Sequence, residues 1–246
     1  MKVDVAFSPA GLATQEVAGR PVFVVDVLRA TTTIAAALHH GARAVVPCAS
    51  PDEAVRLGQT LGKDVVLAGE KHCLPIPGFQ LGNSPREMTP EAVKGRIVAL
   101  ATTNGTRALL AVAHASVVHP VAAANFSVAA ARARALLEQG GDLLVVCAGR
   151  DGAFGLDDAY VAGRLLSEAL GGRTGRSGLN DAAIAALQLV RTYRLRWDRP
   201  LRLSRAGREL AKVGLAEDIA DAARMDAYPV LSYLHDRRVT PMAAAA

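Results

Sequence analysis

Four valines in six residues, Val22-Phe-Val-Val-Asp-Val27, constrain the fold more than any other stretch. A run this apolar suits a strand covered on both faces, hence one inside a sheet sandwiched between helices. Its one exception, Asp26, falls near the strand's carboxyl end. From Thr31 the pattern turns helical through Ile34, Ala35, Ala36, Ala37 and Leu38. Open α/β sheets bind ligands where a strand passes into a helix. Here the turn supplies Asp26, the Arg29 guanidinium, the hydroxyls of Thr31, Thr32 and Thr33, and the unpaired N–H groups of a helix start. Such a set describes an oxyanion or phosphate site.

A simpler account also fits, with the threonines as plain N-caps and Asp26 salt-bridged to Arg29. Two common phosphate motifs are excluded by the spelling. No Gly-Lys-Ser/Thr follows the strand, and Leu28 stands where an aspartyl phosphatase of the haloacid dehalogenase type would carry a second Asp.

The rest of the chain continues the alternation. Val3–Phe7, Arg43–Cys48, Val65–Ala68, Arg96–Leu100, Ser116–Val121 and Leu143–Ala148 read as strands. Helices are expected at Thr32–His40, from Ser50 with Pro51 at the first helical position, at Ala108–Ala113, from Asn125 or Ser127 to Gln139, at Ala159–Leu170, at Asp181–Arg194 and at Arg205–Val213. Ser8–Arg20 reads as a polar loop. Residues 71–85 are too rich in Pro and Gly for a regular element, and a loop that long is usually functional. Gly171–Gly178 reads as a basic flexible hinge, and the tail 241–246 as disordered.

The strand ends collect the candidate chemistry. Glu70 follows the third strand. Thr102-Thr-Asn-Gly-Thr-Arg107 repeats the central arrangement of strand, hydroxyls, arginine and helix, so Asn104, Gly105, Thr106 and Arg107 join the candidate anion binders. Gly149 and Gly152 let backbone approach a ligand, and Asp157 and Asp158 begin a helix. Four carboxylates, Asp26, Glu70, Asp157 and Asp158, with no histidine at ligand spacing, favour Mg2+ over zinc or iron. Magnesium-dependent phosphoryl transfer fits this inventory. A cysteine phosphatase does not, since Ala54, Phe79 and Ala153 stand where its arginine would be. A non-catalytic anion or nucleotide-binding module is the reading from another class.

Composition narrows the field. With 246 residues, 51% of them apolar, the chain can bury a substantial core. No apolar run reaches spanning length, and the first residues show no leader pattern, so a cytoplasmic protein without membrane association is expected. Cys48, Cys73 and Cys147 lack metal or redox spacing. The net charge of +5 invites a nucleic-acid reading, but aromatics are 4% and no basic cluster is interleaved with them, so none is expected to bind.

Taken together, several blocks resemble the 2-phosphosulfolactate phosphatases, the magnesium-dependent family of the ComB type. They are Asp26-Val-Leu-Arg-Ala-Thr-Thr-Thr-Ile34, Gly69-Glu70 followed by Pro77-Gly-Phe-Gln-Leu-Gly-Asn83-Ser84-Pro85, Thr102-Thr-Asn-Gly-Thr106, and Cys147-Ala-Gly with Phe154 and Asp157-Asp-Ala-Tyr160, Ala162 and Gly163. The resemblance implies a layered α/β/α fold with a mixed, largely parallel sheet. It also implies hydrolysis of (2R)-2-phospho-3-sulfolactate to (2R)-3-sulfolactate and phosphate. Asp26, Arg29, Glu70 and Asn104 are then the expected catalytic residues. Asp26, Glu70, Asp157 and Asp158 would be the Mg2+ ligands, with Thr31, Thr32, Thr33, Asn83, Ser84, Gly105, Thr106, Arg107, Gly149 and Gly152 around the substrate. The partner expected is a small phosphorylated sulfonate or carboxylate, a related phospho-2-hydroxy acid being the alternative substrate. A single α/β phosphatase chain is expected, either as one domain or as two lobes of about 1–122 and 123–246; alanine-rich helices are compatible with a homo-oligomer.

Overall fold

The computed structural model describes residues 1–171 and 178–242, so most of the expected hinge and residues 243–246 of the expected tail lie outside the described residues. The strands are β1 (Val3–Ala6), β2 (Pro21–Val25), β3 (Ala44–Cys48), β4 (Val65–Lys71), β5 (Leu74–Pro75), β6 (Ile97–Ala101), β7 (Val117–Val121), β8 (Leu143–Cys147), β9 (Ser232–His235) and β10 (Arg238–Pro241). The helices are α1 (Thr14–Val17), α2 (Ala30–His39), α3 (Pro51–Leu61), α4 (Pro90–Val93), α5 (Gly105–Ala111), α6 (Phe126–Glu138), α7 (Leu156–Ala169), α8 (Asp181–Tyr193), α9 (Asp198–Leu203), α10 (Arg205–Lys212) and α11 (Ala216–Ala222). None is long and apolar enough to cross a membrane among the described residues.

All ten strands form one mixed, mostly parallel sheet in the order β1-β8-β2-β7-β9-β10-β3-β6-β4-β5. The first four are mutually parallel, and so are β3, β6 and β4. Between the two sets sits the β9–β10 hairpin, antiparallel to β7 at Val118–Leu234 and to β3 at Val239–Val45. Followed through these pairings, the second set runs opposite to the first. In a flat sheet their carboxyl ends would point to opposite edges. They meet instead, because a Cβ added to Gly105, just after β6, would stand 2.4 Å from Asp26 Oδ2, just after β2. The sheet therefore curls at the hairpin, where a two-stranded ribbon accepts strong twist.

Burial follows the strand period. Phe23 and Val25 face a core shared with α6, α7 and α8, while Val22 and Val24 face one shared with α2 and α5. Thus β2 is covered on both sides, as its valines require. The α2–α5 core continues onto Val45, Val98 and Leu100 of the second set, and α3 covers that set's other face through Ala54. Each large apolar side chain so buried contributes about 1.5–3 kcal/mol.

Helices α7 and α8 approach most closely at Gly163, where a Cβ would lie 2.2 Å from the Ala186 carbonyl oxygen. Backbone cannot yield as a side chain can. Gly163→Ala is therefore expected to cost about 2–4 kcal/mol and lower the melting temperature by roughly 5–10 °C. Calorimetry checks this, and a loss under about 2 °C would mean the helices separate freely.

Several expectations need correction. Glu70 lies within β4, which runs to Lys71, and the Pro-rich segment pairs a short β5 back onto it. Residues 8–20 contain α1, and Pro241 belongs to β10. Helices α2, α5 and α7 begin two or three residues before their apolar periodicity does, so Thr31, Gly105 and Asp157 are helical.

Candidate functional site

After β2 the chain turns sharply into α2, with a cis peptide between Leu28 and Arg29. The three threonines build this turn. Thr31 Oγ1 donates to the Asp26 carbonyl (2.7 Å), Thr32 Oγ1 to the Val27 carbonyl (2.8 Å) and Thr33 Oγ1 to the Asn83 carbonyl (2.8 Å). All three are buried, so their hydroxyls are committed to backbone. Asp26 Oδ1 faces the start of α2, at 3.4 Å from the Ala30 N–H.

Beside Asp26 lies the first turn of α7. Asp158 accepts from the Val27 N–H (2.9 Å) with one oxygen and from the Gly149 N–H (3.1 Å) with the other, tying the end of β2 to that of β8. Asp26, Asp157 and Asp158 are each no more than 7% exposed. Burial, then the charges of Asp157 and Glu70, push Asp26 up to about 7. Burial raises Asp157 to about 6, opposed by α7 N–H groups and by Arg150. Asp158 is driven well above the usual carboxylate range by burial and then by Asp157 and Asp26. Three carboxylates are thus crowded together without enough positive charge. Among the described residues, no three His, Cys, Asp or Glu side chains form a ready-made metal cage.

The second turn contributes unequally. Thr102 and Thr106 bond to each other and to local backbone, and Asn104 Oδ1 accepts from the Asp151 N–H (3.2 Å). Gly105 is required where it stands, since a Cβ there would strike both Asp26 and Ala30. Glu70 reaches the turn from β4, accepting from the Thr103 N–H and the Cys73 N–H, each at 2.8 Å. Arg107 lies on the turn's other side, in a 210 Å³ pocket with Glu70, Lys71, His72, Thr102 and Thr103.

Other expected residues are drawn elsewhere. Arg29 is buried in an ion pair with Asp218 (2.7 Å) and donates to the Cys73 carbonyl (2.8 Å). Ser84 Oγ donates to the other Asp218 oxygen (2.7 Å). Asn83 is buried with its Oδ1 unpartnered, and Gly152 sits at the outer tip of its turn, with only Ala10 within 4 Å of an added Cβ.

A narrow cleft of about 20 Å³ gathers the rest: Asp26, Asn104, Gly149, Asp157 and Asp158, with Arg150, Phe154 and Arg205 also lining it. Reading the sequence missed Arg150 and Arg205. Arg150 follows the glycine of a quoted block, which was its only local signal. Arg205 begins α10, where a surface arginine looks the same.

Comparison with known proteins places the chain in a family. A family model described as 2-phosphosulpholactate phosphatase matches residues 6–237. The chain is 38% identical over 226 residues to a probable 2-phosphosulfolactate phosphatase of Symbiobacterium thermophilum, covering 92% of this chain and 95% of that one. It is 43% identical over 215 residues to a protein of that name from Thermus thermophilus, covering 85% and 87%. Another in Deinococcus radiodurans is 40% identical over 205 residues, covering 82% of each. A match that runs from β1 to the turn of the β9–β10 hairpin takes in both turns and the aspartate pair, and the chain belongs to the 2-phosphosulfolactate phosphatase family.

Proposed function

We propose that this chain is a phosphoric monoester hydrolase that uses Mg2+ to convert (2R)-2-phospho-3-sulfolactate to (2R)-3-sulfolactate and inorganic phosphate. Family membership supports the phosphatase activity, on a small phosphorylated substrate. The observation that carries the magnesium reading is the buried group Asp26, Asp157 and Asp158, whose mutual repulsion a divalent cation would relieve. A module that only bound anions would gain nothing from them. Mg2+ is usually held by one or two carboxylates together with waters and substrate phosphate.

We assign the ion to Asp26 and Asp157, with Asp158 fixed between the Val27 and Gly149 N–H groups and Glu70 between those of Thr103 and Cys73. When bound, Mg2+ would neutralise developing charge on the phosphate oxygens. With the ion bound, Asp26 would be held ionised, and its carboxylate would orient the attacking water. The N–H groups at the start of α2 favour the negative charge beside it. Asp158 keeps Asp26 in place by clamping Val27 to Gly149. The three cysteines are free and buried, which suits the reducing cytoplasm to which we assign the enzyme.

Phosphate release from 2-phosphosulfolactate and from a panel of phospho-2-hydroxy acids, with Mg2+ and with EDTA, tests the reading. Release that requires Mg2+ and is fastest with the sulfonate supports it. No release under either condition, with phosphate still bound in EDTA, would leave the non-catalytic anion or nucleotide-binding module.

Thermal melts give a second check. At pH 8 Asp26 and Asp157 are ionised and bind cation, whereas at pH 5 protons hold them. Millimolar Mg2+ is therefore expected to raise the melting temperature by several degrees at pH 8 and by about 1 °C or less at pH 5. Equal shifts at both pH values would place the ion elsewhere.

A further inference from the structure

The cleft beside Asp26 has room for about one water molecule, and a phosphoester does not fit. Its outer wall must therefore give way when substrate enters. That wall is made by the turn 149–155 and the first residues of α10. The turn is stiff, because Arg150 and Ala153 exchange backbone hydrogen bonds at 3.0 and 2.9 Å and Gly149, Asp151 and Gly152 all take left-handed conformations.

What joins turn to helix is a set of ion pairs. Arg150 pairs with Glu209, Arg205 with Asp151 (3.7 Å), and Arg205 with Glu209 (2.8 Å). Both arginines line the cleft with the carboxylates, and the charge of Arg150 is felt at Asp157. Arg150 Nε is buried without an acceptor. Arg29, the arginine expected to meet the anion, is already bound to Asp218. Among the described residues, the guanidinium groups that line the cleft are thus held by carboxylate side chains that present the same kind of oxygens as a phosphate or sulfonate.

We infer that Arg150 and Arg205 receive the anionic group of the substrate, and that Glu209 occupies them until it arrives. Partly exposed ion pairs are weak, whereas a phosphate or sulfonate can engage a guanidinium through two hydrogen bonds. Exchanging one carboxylate for such an anion opens the wall at little cost. Glu209 is then a resident competitor of the substrate. The identity of that substrate rests on the phosphatase reading; the exchange itself concerns any oxyanion of this size.

The test is calorimetric titration with inorganic phosphate in the presence of Mg2+, beside turnover of 2-phosphosulfolactate. Glu209→Gln is expected to bind phosphate about fivefold more tightly and to lower KM by a similar factor, with kcat within about twofold of wild type. Arg150→Ala and Arg205→Ala are each expected to weaken phosphate binding by about tenfold. In Glu209→Gln/Arg150→Ala most of the gain is lost. Glu138→Gln, an exposed carboxylate change on α6, controls for net charge and should alter nothing.

Unchanged or weaker phosphate binding by Glu209→Gln, with the melting temperature preserved, would overturn the inference and leave the ion pairs as structural ties. If that variant folds poorly, Asp151→Asn removes one of the two carboxylates that hold Arg205 and is expected to tighten phosphate about twofold; no tightening there would also overturn it. If Glu209→Gln tightens phosphate while no phosphoester is hydrolysed, the exchange stands and the phosphatase reading fails.

Discussion

Asp26→Asn is expected to lower phosphate release by on the order of 10³-fold while melting at a higher temperature than wild type in EDTA. Both effects come from one carboxylate. In the fold Asp26 is buried beside Asp157 and within reach of the charge of Glu70, so its proton leaves near pH 7, against an ordinary value of 3.8. Between about pH 4 and 7 the native protein therefore holds a proton that the unfolded chain has released, and stability falls as pH rises through that window. Asparagine removes the ionisation. Its advantage should be near zero at pH 4, grow toward pH 7 and level off above it, reaching on the order of 3 kcal/mol, or several degrees. Mg2+ should then stabilise wild type more than the variant. Activity assays and melts from pH 4 to 8 read out both. A variant that stayed active, or melted below wild type at pH 8, would remove Asp26 from the role assigned to it.

Asp218→Ala is expected to be the most damaging single change to stability outside the close-packed glycines. Arg29 and Asp218 are 4% and 2% exposed at their side chains, and Ser84 also donates to Asp218. Removing the carboxylate strands a buried guanidinium, which typically costs 3–5 kcal/mol, roughly 10 °C for a chain of this length. The double variant Arg29→Met/Asp218→Leu removes both charges and is expected to recover most of that loss, because buried pairs contribute little net stability against apolar replacements. Chemical denaturation of wild type, Arg29→Met, Asp218→Leu and the double variant gives the coupling directly. If Asp218→Ala cost under about 1 kcal/mol, Arg29 would be finding water or another acceptor, and its confinement to a structural pair would be wrong.

Where local pattern carried the information, the sequence was a good guide. The valines of β2 announced burial on both faces, and the alternation of strands with helices gave the α/β class. Asp157 and Asp158 follow a buried strand and stand in the first turn of α7, as the sequence expected of a helix start. Elsewhere the pattern misled. Thr31, Thr32 and Thr33 looked like anion donors, but Thr31 and Thr32 give their hydroxyls to carbonyls of their own turn and Thr33 gives its hydroxyl to the Asn83 carbonyl. The β9–β10 hairpin escaped notice because Asp236 and Arg237 both adopt left-handed backbone, and arginine stands where such a turn usually shows glycine.

Periodicity and strand-end chemistry thus determined the layers of this protein and its acidic residues, since both depend on neighbours within a few positions along the chain. Only the tertiary structure decided which arginine meets which carboxylate. Arg29 is claimed by Asp218, 189 residues away, and Arg150 by Glu209 on α10. The hairpin near the carboxyl terminus curls two opposed parallel sets until Gly105 touches Asp26. A charge's partner depends on distance through space, and nothing in the spelling around an arginine records that distance.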